Sequence, residues 1–66
     1  MIITPENTEE MYNKHKDMID MMVTALKNMN MEDRSMFVHL IPQDILILII
    51  YRCIQIKQDL IWVPLK

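Results

Sequence analysis

The chain reads as an all-α protein, a small three-helix domain with helices expected over residues 5–29, 31–40 and 42–58 and a short C-terminal tail. Three observations predict this. The 66 residues include no glycine, so the Asn-Gly, Asp-Gly and Gly-first turns that close tight β-hairpins are not available. Apolar residues recur in the first half at intervals of three and four or their sums, the mark of one helical face. The breaks between these stretches fall at Asn and Pro, residues that stop or restart a helix.

In the first helix, Thr4 can cap and Pro5 suits the first helical position. Glu6, Glu9 and Glu10 sit where the positive end of the helix dipole favours acids. Met11, Met18, Met22, Leu26 and Met29 form the stripe, widened by Ile19, Val23 and Ala25. Glu10 precedes Lys14 by four, a mildly favourable pair. Asn28 and Asn30 end this helix near residue 29. Asn30 then serves as N-cap of the second helix, with Glu32 and Asp33 in its first turn. Met31, Met36, Phe37, Leu40 and Ile41 are its candidates for burial. Pro42 disfavours a helical conformation at Ile41, so the chain should bend there.

The third element carries the most information. Ile45-Leu46-Ile47-Leu48-Ile49-Ile50-Tyr51 is apolar on every side, and the character continues through Cys53, Ile54 and Ile56. A buried strand rich in β-branched residues would look much the same. Helix is expected on three grounds. Pro42 sits at a plausible first position with Asp44 two residues later, the apolar run outlasts a typical strand, and only Leu60-Ile61-Trp62-Val63 could pair with it. The tail from Asp59 to Lys66 adds a last turn or an extended arm. No internal repeat, linker or low-complexity segment interrupts residues 1–66, which form one domain.

Size turns this apolar run into a functional clue. Chains of this length bury only about 60% of their unfolded surface. The single Cys53 can form no internal disulfide and has no second cysteine to share a zinc site. A hydrophobic content of 52% is more than a lone small bundle needs, and oligomerisation is the remaining common route to stability. The formal net charge is −2. Acids dominate residues 1–33, and the later half is mildly basic through Arg34, Arg52, Lys57 and Lys66. No concentrated basic stripe offers itself to a phosphate backbone, and Ile45–Tyr51 lacks the polar side chains a DNA-recognition helix needs. Nucleic acid is therefore not an expected partner.

The N-terminus has no basic segment and turns acidic within ten residues, unlike a secretory signal. The apolar run spans about a dozen positions, short of the ~20 needed to cross a bilayer. With a free thiol, a cytoplasmic setting is expected. Eight methionines, many Ile and Asn and no glycine are compatible with an AT-rich coding source such as a virus, phage or parasite.

Catalytic and metal-binding chemistry finds little footing. Neither His15 nor His39 has a His, Cys or carboxylate at i+3 or i+4 to seed a metal site. Cys53 lies in the most apolar segment, where burial makes a thiol inert. Asp17 and Asp20, three apart, read as a solvated face. Met18, Met21 and Met22 could form a thioether cluster for Cu(I), but methionine at helical spacing reads as adaptable packing. No metal, no cofactor and no enzymatic activity are expected.

Ile41-Pro42-Gln43-Asp44-Ile45-Leu46, then Ile49-Ile50, and later Asp59-Leu60-Ile61-Trp62, resembles the opening of an F-box, the helical motif by which substrate receptors dock on an adaptor of ubiquitin ligases. The resemblance covers about a third of the chain. It departs from the family in extra residues before Asp59-Leu60 and leaves no room for the second half of the motif, so membership is not inferred.

The expectation is a non-enzymatic interaction or assembly factor whose third helix is shared with another protein chain, in a homo-oligomer or a hetero-complex. Its interface residues would be Ile45, Leu48, Ile49, Tyr51 and Trp62, with Met18 and Met22 on the first helix as counterparts. Tyr and Trp are included because they are enriched among interface anchors. The alternative is a peripheral membrane protein that lays Ile45–Ile56 in the headgroup region, with Arg52, Lys57 and Trp62 at the water boundary.

Overall fold

The computed structural model describes residues 2–61. Within them lie four helices and no strand: α1 (Thr8–Lys14), α2 (Lys16–Asn28), α3 (Met31–Leu40) and α4 (Gln43–Ile56). The all-helical class holds, and the ambiguous Ile45–Ile50 run is helical. The count differs by one, because the expected first helix is two helices.

That division falls at His15, whose backbone leaves the helical region (φ −115°, ψ 23°). Residues 8–28 contain neither Gly nor Pro, the usual causes of a sharp bend. Tertiary packing supplies the cause instead. Tyr12 Oη donates a 2.6 Å hydrogen bond to Asp20 Oδ1, two residues that a straight helix would hold roughly 12 Å apart along its axis. Bending at His15 closes that gap and lays both α1 and α2 against α4.

The N-terminus is also tighter than expected. Thr4–Asn7 forms a turn closed reciprocally: the Thr4 amide donates to Asn7 Oδ1 at 2.7 Å, and the Asn7 amide donates to Thr4 Oγ1 at 3.3 Å. This is the logic of a capping box with Asn in the place of Glu. Thr4 thus closes this turn and not the helix itself, whose N-cap is Asn7, and the expected start at residue 5 moves to Thr8.

The core is gathered from α1, α2, α4 and the segments on either side of α4. Tyr12, Ile19, Val23, Leu26, Ile41, Leu48, Ile49, Cys53 and Leu60 are buried, and Ile19, Leu26, Leu48 and Ile49 are wholly so. Each of those four contributes about 1.5–3 kcal/mol on withdrawal from water. The buried line of α1 and α2 is Tyr12–Ile19–Val23–Leu26, rotated by a residue from the methionine stripe read in the sequence. Met11, Met22 and Met29 pack at its margin, and Met18 remains 37% exposed. Compact branched side chains take the centre, and flexible methionines fill the edge.

Helix α3 stands apart energetically. Asn30 caps it as expected, its Oδ1 accepting from the Asp33 amide at 2.8 Å. Yet none of its residues is buried, and Met31, Met36 and Leu40 face outward. Phe37 and Val38 pack partly on the core. Arg34 adds a polar tie: Nε donates to the Leu26 carbonyl at 3.2 Å and Nη2 to that of Met29 at 3.3 Å, capping the end of α2 with charge.

Helix α4 begins after Pro42 and ends in a Schellman motif. Lys57 adopts the left-handed conformation (φ 57°, ψ 41°). The Gln58 amide donates to the Cys53 carbonyl at 3.0 Å and the Lys57 amide to that of Ile54 at 3.2 Å. The chain then turns back and places Leu60 in the core.

Candidate functional site

The site is built from the two sides of α4. Leu48, Ile49 and Cys53 point into the core, with Ile45, Leu46 and Ile56 packed beside them. The opposite side carries Gln43, Ile47, Ile50, Ile54 and Lys57, spaced four, three, four and three residues apart. Ile50 is 38% exposed and Ile54 70%, while Ile47 is half-buried. Beyond this row the returning segment forms a groove of about 290 Å³ lined by Ile50, Cys53, Ile54, Lys57, Gln58, Asp59 and Ile61. Its floor is aliphatic and its rim polar.

The expected interface residues are dispersed by this arrangement. Leu48 and Ile49 are wholly buried in the chain's own core, where no partner reaches them without opening the fold. Ile45 and Met22 are half-buried against that core. Tyr51 packs on Tyr12, ring centroids 5.5 Å apart and planes tilted by 50°. Met18 is exposed on α2, and Trp62 lies outside the described residues. Ile50 and Ile54, the α4 isoleucines that do face outward, are not among the expected interface residues. Both sides of α4 are aliphatic, so hydrophobicity alone could not say which side the rest of the chain would cover.

A second constellation was also missed. Asp20 is not a solvated carboxylate: besides Tyr12 it meets Arg52 Nε at 3.4 Å. The Arg52 guanidinium lies 5.8 Å from the centroid of the Tyr12 ring. These three residues staple α1, α2 and α4 together. Burial first, then the hydrogen bond and proximity to the Asp20 carboxylate, push the Tyr12 hydroxyl up to about 12, with Arg52 opposing. Both Asp20 and Tyr12 are occupied in holding helices, which suits structure rather than proton transfer.

Burial raises the Cys53 thiol above its ordinary value, opposed by a hydrogen bond with the Leu60 backbone. Neither histidine lines the groove. His15 sits at the α1–α2 bend, and His39 Nδ1 lies 2.6 Å from the Ser35 carbonyl oxygen on exposed α3. Among the described residues no three His, Cys, Asp or Glu gather as a metal site. No buried side-chain nitrogen or oxygen among them lacks a hydrogen-bond partner. No helix among them is long and apolar enough to cross a membrane.

No protein-family model, curated protein or solved structure matches the chain. The F-box resemblance is not carried further, and the surface is read from its own chemistry.

Proposed function

We propose that the chain is a small non-enzymatic interaction or assembly module that docks on another protein chain through the outer side of α4. One observation carries this reading: Ile50, Ile54 and Ile61 converge on a groove at the surface of a domain whose described residues already form a core of nine buried side chains. A single exposed isoleucine is ordinary; a contiguous apolar groove with a polar rim is what interfaces are made of. Removing that surface from water favours association by about 25 cal/mol per Å², less the cost of ordering two bodies. The buried lone thiol suits a reducing, cytoplasmic compartment.

The test compares wild type with an Ile50→Glu/Ile54→Glu double variant as affinity baits, after circular dichroism shows both to be folded. Proteins held by the wild type, copies of the chain included, should be lost by the variant. Identical sets from the two baits would overturn the reading. The membrane alternative is weakened by the fold, since Leu48, Ile49 and Cys53 face inward and leave a narrow row of isoleucines for a bilayer. Flotation of the wild type, but not the variant, with phosphatidylserine vesicles would move the function to a lipid surface.

A further inference from the structure

We infer that the occupant of the outer side of α4 is a second copy of this chain, its α4 packed antiparallel against the first. The inference deepens the docking reading and rests on it. Two independent properties of the row point to this occupant.

The first is spacing. Gln43, Ile47, Ile50, Ile54 and Lys57 alternate intervals of four and three, the period with which one helix offers a seam to another. The row covers the whole of α4, roughly 21 Å. Read from either end, it runs polar, three isoleucines, polar. A two-fold axis packs the row on itself in reverse, so polar ends meet polar ends and isoleucines meet isoleucines.

The second is charge. The N-terminal end of α4 carries Asp44, and Lys57 closes its C-terminal end. Arg52 lies on the inward side with Asp20, and Asp59 is already engaged in an interaction of its own. Antiparallel pairing brings the Asp44 end of each helix to the Lys57 end of the other and opposes the two helix dipoles. Parallel pairing would bring like ends together. The charges therefore choose the direction, and the isoleucines supply the contact.

A specific protein interface takes about 600 Å² or more from each partner, roughly an eighth of the 4883 Å² this chain exposes. Three isoleucines make the centre of such a contact without making it large, so the pair is expected to dissociate on dilution.

Sedimentation equilibrium across a concentration series tests the pair. The wild type should pass from monomer to dimer, and Ile54→Glu, which places two carboxylates in the seam, should weaken association by roughly a hundredfold or more. Lys57→Glu should weaken it less, with an effect that fades in high salt. Direction is read separately. Asp44→Cys and Lys57→Cys chains, each also carrying Cys53→Ser, are mixed with oxidised glutathione, and the disulfide between unlike chains should prevail over both like pairs. Prevalence of like pairs would overturn the antiparallel arrangement. A wild type that stays monomeric throughout would overturn the second copy. If the double glutamate variant still loses its captured proteins, the docking surface itself survives. A monomer whose Trp62 fluorescence shifts on Ile54→Glu would assign the groove to residues 62–66 of the same chain and likewise overturn the pair.

Discussion

At the scale of single residues, Tyr12 does the work of several. Its ring is buried, stacks at a tilt on Tyr51 and lies beneath the Arg52 guanidinium, while its hydroxyl holds Asp20. The neutral phenol is the form the fold favours, because both burial and the carboxylate oppose the phenolate. Its ordinary value of 10 therefore rises to about 12 on folding. The associated stability is complete below pH 10 and is lost as pH climbs from 10 to about 12. Urea denaturation at stepped alkaline pH should show that loss in the wild type and a shallower one in Tyr12→Phe. Arg34 is a comparable case on α3, where one side chain closes two carbonyls at the end of α2. Neither role leaves a trace in local sequence patterns, because the hydrogen-bond partners lie five to eight residues away across a bend or a loop, and Tyr51 and Arg52 lie on α4.

At the scale of elements, the punctuation explains what was legible. Asn30 and Pro42 mark the borders of α3 and the start of α4 chemically, and the expected ranges 31–40 and 42–58 lie within two residues of the observed helices. The break at His15 has no such mark. It exists because two short helices cover α4 where one straight helix could not also join Tyr12 to Asp20. The end of α4 shows the reverse situation, a junction whose usual residue is missing. A Schellman motif places its C′ residue in the left-handed region, and here a lysine accepts that conformation. For an L-residue with a Cβ the strain is about 1 kcal/mol. Lys57→Gly should raise stability by about 0.5–1 kcal/mol, visible as an increase in Tm of roughly 4 °C.

At the scale of the whole molecule, the apolar content divides between a core and a surface. From the Ile45–Ile50 run, Ile45, Leu48 and Ile49 are the residues the sequence suggests for a shared interface, but the chain consumes Leu48 and Ile49 itself and leaves Ile50 and Ile54 outside. Pattern could not make that division, since aliphatic residues surround α4 on every side and only the packing of α1 and α2 selects the inward one. The two classes of position are separable by mutation. Leu48→Ala should cost about 2–5 kcal/mol, and Leu48→Asp should leave the chain unfolded, because an unpaired carboxylate there replaces a wholly buried side chain. Ile54→Glu should change monomer stability by about 0.5 kcal/mol or less. Chemical denaturation of the three variants, followed by circular dichroism at concentrations too low for association, checks the contrast. Helix α3 stands outside this division altogether. Its Met36, His39 and Leu40 all face solvent, while Arg34, Phe37 and Val38 hold it in place. This ten-residue bridge is accordingly where foreign sequence can be grafted and displayed, with the anchor positions kept and the scaffold beneath left unaltered.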